Sequence, residues 1–125
     1  MKKRILIVDD VNFNVEFESK LISNMMGELN KSIHIDEANS VEDALRMIEN
    51  NDPYDAMIID MNLPDGSGVE IAKKARDKDT MTRLAALTIY PNEYEKERTY
   101  FDLFMKKPIM VESFKQNFMQ LLQLD

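Results

Sequence analysis

Five short runs along the chain are apolar at nearly every position, and longer stretches of helical period separate them. They are "ILIV" at 5–8, "IHI" at 33–35, "AMIID" at 56–60, "LAALT" at 84–88 and "DLFM" at 102–105. A half-exposed strand alternates apolar with polar residues, so runs like these read as strands buried on both faces, in a parallel sheet covered by helices on each side. The spacers fit that reading. Phe13, Phe17, Leu21 and Met25 step by four with Ile22 and Leu29 beside them, while Glu16, Lys20 and Asn24 point away, which predicts an amphipathic helix. Ser40 with Asp43 three residues on resembles a capping box, opening a helix with inner face Val41, Leu45 and Ile48 that stops before Pro53. A third helix is expected after Ser67 with Val69, Ala72 and Ala75 inward, and a short polar fourth after Pro91. A fifth carries Val111, Phe114, Phe118, Leu121 and Leu122 on one side. The pattern is (βα)5, and right-handed crossovers make it a doubly wound α/β fold whose sites lie beyond the carboxyl ends of the strands.

The 125 residues, 44% of them apolar, suffice for one domain spanning 1–125. No Pro/Gly/Ser linker, low-complexity tract or repeat divides them. The net charge of -7 and scattered lysines and arginines argue against direct nucleic-acid binding or an anionic membrane surface. The chain has no cysteine, so neither a disulfide framework nor a thiolate metal site is available. "MKKRILIVDD" starts like a signal peptide, but its apolar run is too short for one and ends in two acids, so it reads as a strand of a cytoplasmic protein.

Polar residues gather where the strands end. Asp9 and Asp10 follow the first strand, Asp60 ends the third, Thr88 ends the fourth, and Lys107 lies just after the fifth, before Pro108. Three carboxylates brought together repel one another and call for a cation. An all-oxygen donor set without histidine or cysteine suits a hard ion such as Mg²⁺, with Mn²⁺ as the alternative. A carboxylate beside such an ion, with an ammonium and a hydroxyl nearby, can attack phosphorus and form an acyl phosphate, and Asp60 is the central candidate. Alone, each residue has a plainer role: an acidic turn at Asp9 and Asp10, surface charge at Lys107, a β-favouring residue at Thr88, a core aromatic at Phe104. The single histidine, His34, alternates with Ile33 and Ile35 and is assigned no role as ligand or phosphodonor. Most of the ten methionines are expected to fill core gaps, with Met105, Met110 and Met119 left open.

The acid pair Asp9 and Asp10, the stretch "YDAMIIDMNLPDGSG" at 54–68, Thr88, and "KP" at Lys107 and Pro108 occur in this order at strand ends. In these motifs the chain resembles the receiver domains of two-component response regulators over essentially its whole length. The resemblance implies a flavodoxin-like, five-stranded parallel sheet of order 2-1-3-4-5 with helices on both faces. It implies that Asp60 accepts a phosphoryl group from a sensor histidine kinase or a histidine phosphotransfer protein. Asp10, the Asp60 side chain and the Asn62 backbone carbonyl would bind Mg²⁺ directly, and Asp9 through a water. Lys107 would pair with Asp60 and then with a phosphoryl oxygen, Thr88 would hydrogen-bond another, and Phe104 would turn inward on activation. Gly66 would supply the turn conformation of the loop after strand three. The fourth helix, fifth strand and fifth helix would form the surface that controls a downstream target or output domain, with the fourth-helix side also open to homodimer formation. Such a domain catalyses its own phosphorylation and slow dephosphorylation without being a conventional enzyme.

The chain departs from that pattern at the signalling surface. Tyr100 and Phe101 stand where receivers commonly carry small residues, and the span from Thr88 to Phe104 is short. "YPNEYEKERTYF" offers only Tyr90, Tyr94 and Phe101 as an apolar face, so the fourth helix is expected to be stunted, shifted or partly unwound. Ile89 replaces the usual small residue beside the phosphoryl pocket. The alternative function is a receiver-fold interaction module independent of phosphorylation, which loss of Asp10, Asp60 or Lys107 would have favoured. A haloacid-dehalogenase-type phosphatase would have its nucleophile on the first strand, and an FMN carrier would need a phosphate cradle where this chain has the acidic "DDVNFN".

Overall fold

The computed structural model describes residues 2–124, apart from the side chains of residues 91, 93, 94 and 95. In chain order the elements are β1 (Lys3–Val8), α1 (Asn12–Glu28), β2 (Ile33–Ala38), α2 (Val41–Asn50) and β3 (Ala56–Asp60). A small antiparallel hairpin (Asn62–Leu63 with Gly66–Ser67) follows, then α3 (Gly68–Lys78), β4 (Arg83–Thr88), a 3-10 segment (Pro91–Tyr100), β5 (Leu103–Lys106) and α4 (Val111–Leu121). The five long strands form one parallel sheet in the order β2-β1-β3-β4-β5, the doubly wound arrangement expected. Among the described residues, no helix is long and apolar enough to cross a membrane.

The unbroken apolar runs become intelligible in the two cores. Leu6 and Val8 of β1, Met57 and Ile59 of β3, and Leu84 and Ala86 of β4 pack against α2 and α3 through Val41, Ile48, Ile71 and Ala75. Their alternate neighbours, Ile5 and Ile7, Ala56 and Ile58, Ala85 and Leu87, pack with Met105 against α1 and α4 through Ile22, Met25, Met26, Phe114 and Phe118. Each strand therefore serves both cores, and neither face can carry a polar residue cheaply. Ser40 caps α2 as predicted, its Oγ accepting the Asp43 N–H at 3.1 Å.

One expectation changes. The buried face of α1 is rotated from the expected row: Ile22 and Met25 are buried, but Phe13 is 72% exposed and Leu29 38%. The buried row is Val15, Glu18, Ile22, Met25 and Met26. A carboxylate in the middle of that row breaks its apolar pattern, which makes the wrong face look like the better one. The fourth helical segment is not an α-helix, in line with its expected unwinding. Residues 91–100 wind as 3-10 turns, consistent with a segment that lacks an apolar stripe to dock. Tyr90 is exposed, Phe101 is buried, and the Tyr94 side chain lies outside the described residues. Arg76 of α3 holds the far end of the segment. Its guanidinium donates to the Tyr100 carbonyl at 3.2 and 3.3 Å and pairs with Asp102 at 2.9 Å.

Candidate functional site

Register brings the rim residues together. Val8 lies opposite Ile59 and Asp60 opposite Leu87, so Asp9 and Asp60 end neighbouring strands at one level. The ladder runs slightly past the strands: the Asp9 N–H donates to the Ala38 carbonyl at 3.1 Å, and the Lys107 N–H to the Thr88 carbonyl at 2.9 Å. The period-two alternation therefore carries through to Asp9, Asp60 and Lys107, which share the parity of Ile7, Ile58 and Met105, the face covered by α1 and α4. Thr88 and Phe104 have the opposite parity, that of Ala86, on the face covered by α2, α3 and the 3-10 segment. One rim thus divides into a charged side and a side occupied by Thr88 and Phe104.

On the charged side, carboxylate oxygens of Asp9, Asp10 and Asp60 lie within 4.8 Å of one another. Asp9 and Asp60 are buried and Asp10 is exposed. Lys107 Nζ is 3.2 Å from Asp60 Oδ2 and 3.6 Å from Asp9 Oδ2. Asp60 Oδ1 accepts the Asn62 N–H at 3.0 Å, and Asp9 Oδ1 accepts the Val11 N–H at 2.9 Å. Burial pushes the Asp60 carboxyl above the usual aspartate value, helped by the charge of Asp9 and opposed by the Asn62 hydrogen bond and Lys107. Burial would lower Lys107, yet the charges of Asp60 and Asp9 outweigh it and hold the ammonium above the ordinary lysine value. One ammonium against three carboxylates leaves negative charge uncompensated. The donors are all oxygens, which suits a hard divalent cation.

Thr88 is buried, with Oγ1 accepting the Tyr90 N–H at 3.1 Å. Phe104 is half-buried, edge-on to Phe101 with ring centroids 5.4 Å apart, and the Arg98 guanidinium stands 4.9 Å above its ring. Phe101 therefore fills core space beside Phe104 where a small residue is common in receivers. Ile89 is 52% exposed and shares a cavity of about 430 Å³ with Phe13, Phe17, Lys107 and Pro108. Met105 is core, whereas Met110 is exposed. His34 is exposed and bonds Asp36 at 2.8 Å, away from the rim.

Three residues of consequence are not evident from the motifs. Glu18 has no exposure, and neither carboxylate oxygen has a hydrogen-bond partner among the described residues. Gly68, which opens α3, lies so close behind the site that a Cβ would stand 2.8 Å from the Asp60 carbonyl oxygen and 2.7 Å from Ile59 Cγ2. Asp65, in the loop after β3, accepts the Val41 and Glu42 N–H groups at 2.8 and 3.0 Å and so anchors that loop to the start of α2. Only a glycine at the third position of "GSG" and an acid in a turn hint at the last two. Nothing in the linear pattern marks the first.

The response regulator receiver domain family model matches residues 5–118. The hybrid signal transduction histidine kinase L of Dictyostelium discoideum is 27% identical over 123 residues, covering 90% of this chain and 7% of that protein. The alkaline phosphatase synthesis transcriptional regulatory protein PhoP of Bacillus subtilis (strain 168) is 30% identical over 97 residues, covering 77% of this chain and 37% of that protein. The chain thus spans well under half the length of either relative. Among solved structures, the response regulator protein TrrA of Thermotoga maritima in complex with Mg(2+)-BeF is similar at 28% identity and TM-score 0.74, covering 96% of this chain and 99% of that one.

Proposed function

Because this chain belongs to the response regulator receiver domain family, we propose that it is a phosphorylation-dependent signalling switch with Asp60 as its phosphoacceptor. The observation that carries the reading is the buried Asp60 carboxylate, paired with Lys107 at 3.2 Å inside a cluster of three acids. Asp60 Oδ2 attacks the phosphorus of a phosphohistidine on a sensor kinase or phosphotransfer protein. The new O–P bond forms as the N–P bond breaks, and the histidine nitrogen leaves with the electron pair and takes up a proton.

Asp10, the Asp60 side chain and the Asn62 backbone carbonyl would hold Mg²⁺, with Asp9 acting through a water. The ion would supply positive charge against the phosphoryl oxygens. Lys107 neutralises a further phosphoryl oxygen, and the Thr88 hydroxyl, turning from Tyr90 N–H, donates to another. The added charge, roughly -1.5 to -2 at neutral pH, thereby biases the Thr88 side of the rim, where Phe104, Phe101 and the 3-10 segment pack together. The surface of that segment with β5 and α4 is the proposed output face toward a partner or output domain. Ile89, at the mouth of the cavity beside Lys107, hinders the water that would hydrolyse the acyl phosphate.

Intact mass after incubation with acetyl phosphate, with and without Mg²⁺, tests the chemistry. One added phosphoryl group that requires both Mg²⁺ and Asp60, and is lost in Asp60→Ala, is the expected result. A folded protein that binds Mg²⁺ but accepts no phosphoryl group from acetyl phosphate or from a phosphohistidine donor would instead be a phosphorylation-independent docking module.

A further inference from the structure

Glu18 sits on the inner row of α1 between Val15 and Ile22, in a position whose sequence neighbours in that row are all apolar. Its burial is complete, and among the described residues neither carboxylate oxygen has a hydrogen-bond partner. An unpartnered buried polar group lowers stability, and an apolar side chain of similar size would pack there without that cost. Packing therefore does not explain the residue. Its location is more informative: α1 covers the face of the sheet toward which Asp9, Asp60 and Lys107 are directed by strand alternation. Asn14 and Phe17, from the same stretch of α1, line a cavity with Lys107. Burial raises the Glu18 pKa well above the ordinary glutamate value, the charges of Asp9 and Asp60 raise it further, and the charge of Lys107 opposes them. Glu18 thus lies in the same electrostatic cluster as the rim, and Lys107 is the cation that bears on it.

Lys107 carries the donors that Glu18 lacks, and its charge bears on Glu18. A lysine is a point charge on a flexible four-carbon stem with three donors, and its ammonium is committed to Asp60 and Asp9. Those same carboxylates are the ones a divalent cation needs. Two cations drawn to one pair of carboxylates repel each other, so cation uptake requires Lys107 to loosen its hold, and a buried acceptor in the same charge cluster eases that withdrawal.

We propose that Glu18 is a positioning residue, an internal acceptor that receives the Lys107 ammonium when the rim carboxylates take up a divalent cation. It rests on the reading of the rim as a cation and phosphoryl site. Phosphoryl oxygens on Asp60 then draw Lys107 back. Either oxygen of a carboxyl group, or the carbonyl of a glutamine, can accept from the ammonium, whereas an aliphatic side chain cannot.

The test is Mg²⁺ binding by titration calorimetry on wild type, Glu18→Leu, Glu18→Gln, Lys107→Met and the Glu18→Leu/Lys107→Met pair, with thermal melts to establish that each is folded. Glu18→Met replaces Glu18→Leu if leucine packs poorly. Glu18→Leu should weaken Mg²⁺ binding by roughly three- to tenfold, in the lower part of the range of coupling between residues that share a network. Glu18→Gln should stay close to wild type, and the Glu18→Leu effect should vanish once Lys107 is methionine. Wild-type affinity in Glu18→Leu overturns the proposal, as does an equal loss with and without Lys107. If wild type itself binds no Mg²⁺, the reading of the site falls and the role of Glu18 falls with it, an outcome distinct from failure at Glu18 alone.

Discussion

Gly68 and Glu18 are the single residues that carry the clearest expectations. A Cβ on Gly68 would meet a backbone carbonyl and the Ile59 side chain, neither of which can yield without moving β3. Gly68→Ala is therefore expected to cost about 1–3 kcal/mol, as overpacked cores do, read from denaturant midpoints, and to slow phosphoryl uptake at Asp60. Glu18 produces a pH dependence whose sign follows from its raised pKa. The unfolded chain ionises this group near the ordinary glutamate value, about 4.3, while the folded protein keeps the proton. Stability contributed by the bound proton is thus fully present below that pH and is lost as pH rises toward the folded value. Glu18→Gln should flatten the stability profile above about pH 4.5, by up to about 1.4 kcal/mol per pH unit over the interval where only the unfolded chain ionises. An unchanged profile would show that Glu18 ionises alike in both states. Ile89→Ala should shorten the lifetime of the phosphorylated form, and equal dephosphorylation rates would remove Ile89 from the account. Asp9, Asp10, Asp60, Thr88 and Lys107 were legible in the sequence because polar residues ending apolar runs stand out. Glu18 was not, because burial of a charged residue type is visible only once the helix phase is known.

Among the elements, the 3-10 segment and the start of α2 depend on contacts from elsewhere in the chain. The segment has no continuous apolar stripe and is held by Phe101 in the core, by the Arg76 guanidinium on the Tyr100 carbonyl, and by Lys73 over the Tyr100 ring at 5.4 Å. Arg76 also donates to the Thr80 and Thr82 carbonyls at 3.1 and 2.8 Å, so it ties two loops together. Arg76→Met should speed hydrogen exchange across residues 91–101 while leaving β1 and β3 protected, since local opening needs only the loss of these anchors. Uniform exchange rates would mean that the segment is held by other contacts. At α2, the backbone N–H groups of Val41 and Glu42 bond Asp65 and hold its pKa below the usual aspartate value. A lowered acid contributes stability above its unfolded pKa and loses it as pH falls through the folded one. Below about pH 4, the unfolded aspartate value, wild type should therefore lose more stability than Asp65→Asn in parallel melts. The Ser40 cap was readable from local spacing, but the Asp65 contact joins residues 24 positions apart. Local pattern cannot carry it.

For the whole molecule, the parallel sheet concentrates charge. A chain with net charge -7 gathers three carboxylates at one rim and sets Lys107 against them. Binding of a cation to the folded state alone stabilises it by mass action, so Mg²⁺ at a hundred times its Kd should add about 2.7 kcal/mol, reversed by chelation. A melting temperature indifferent to Mg²⁺ would contradict the assignment of the rim. The same sheet divides the rim in two: alternation sends Asp9, Asp60 and Lys107 toward α1 and α4, and Thr88 and Phe104 toward α2, α3 and the 3-10 segment.

The amino-acid sequence by itself determined the strand runs, the parallel doubly wound sheet, the acids and lysine at its carboxyl edge and the weakness of the fourth helical segment. Each follows from apolar period, turn residues or composition within a window of neighbours. Tertiary structure decided which face α1 buries, that Glu18 is buried on that face, that Gly68 abuts the Asp60 carbonyl, and that Asp65 caps a helix it does not belong to. Those facts depend on what lies opposite each residue in space, and a linear pattern records only what lies beside it in the chain.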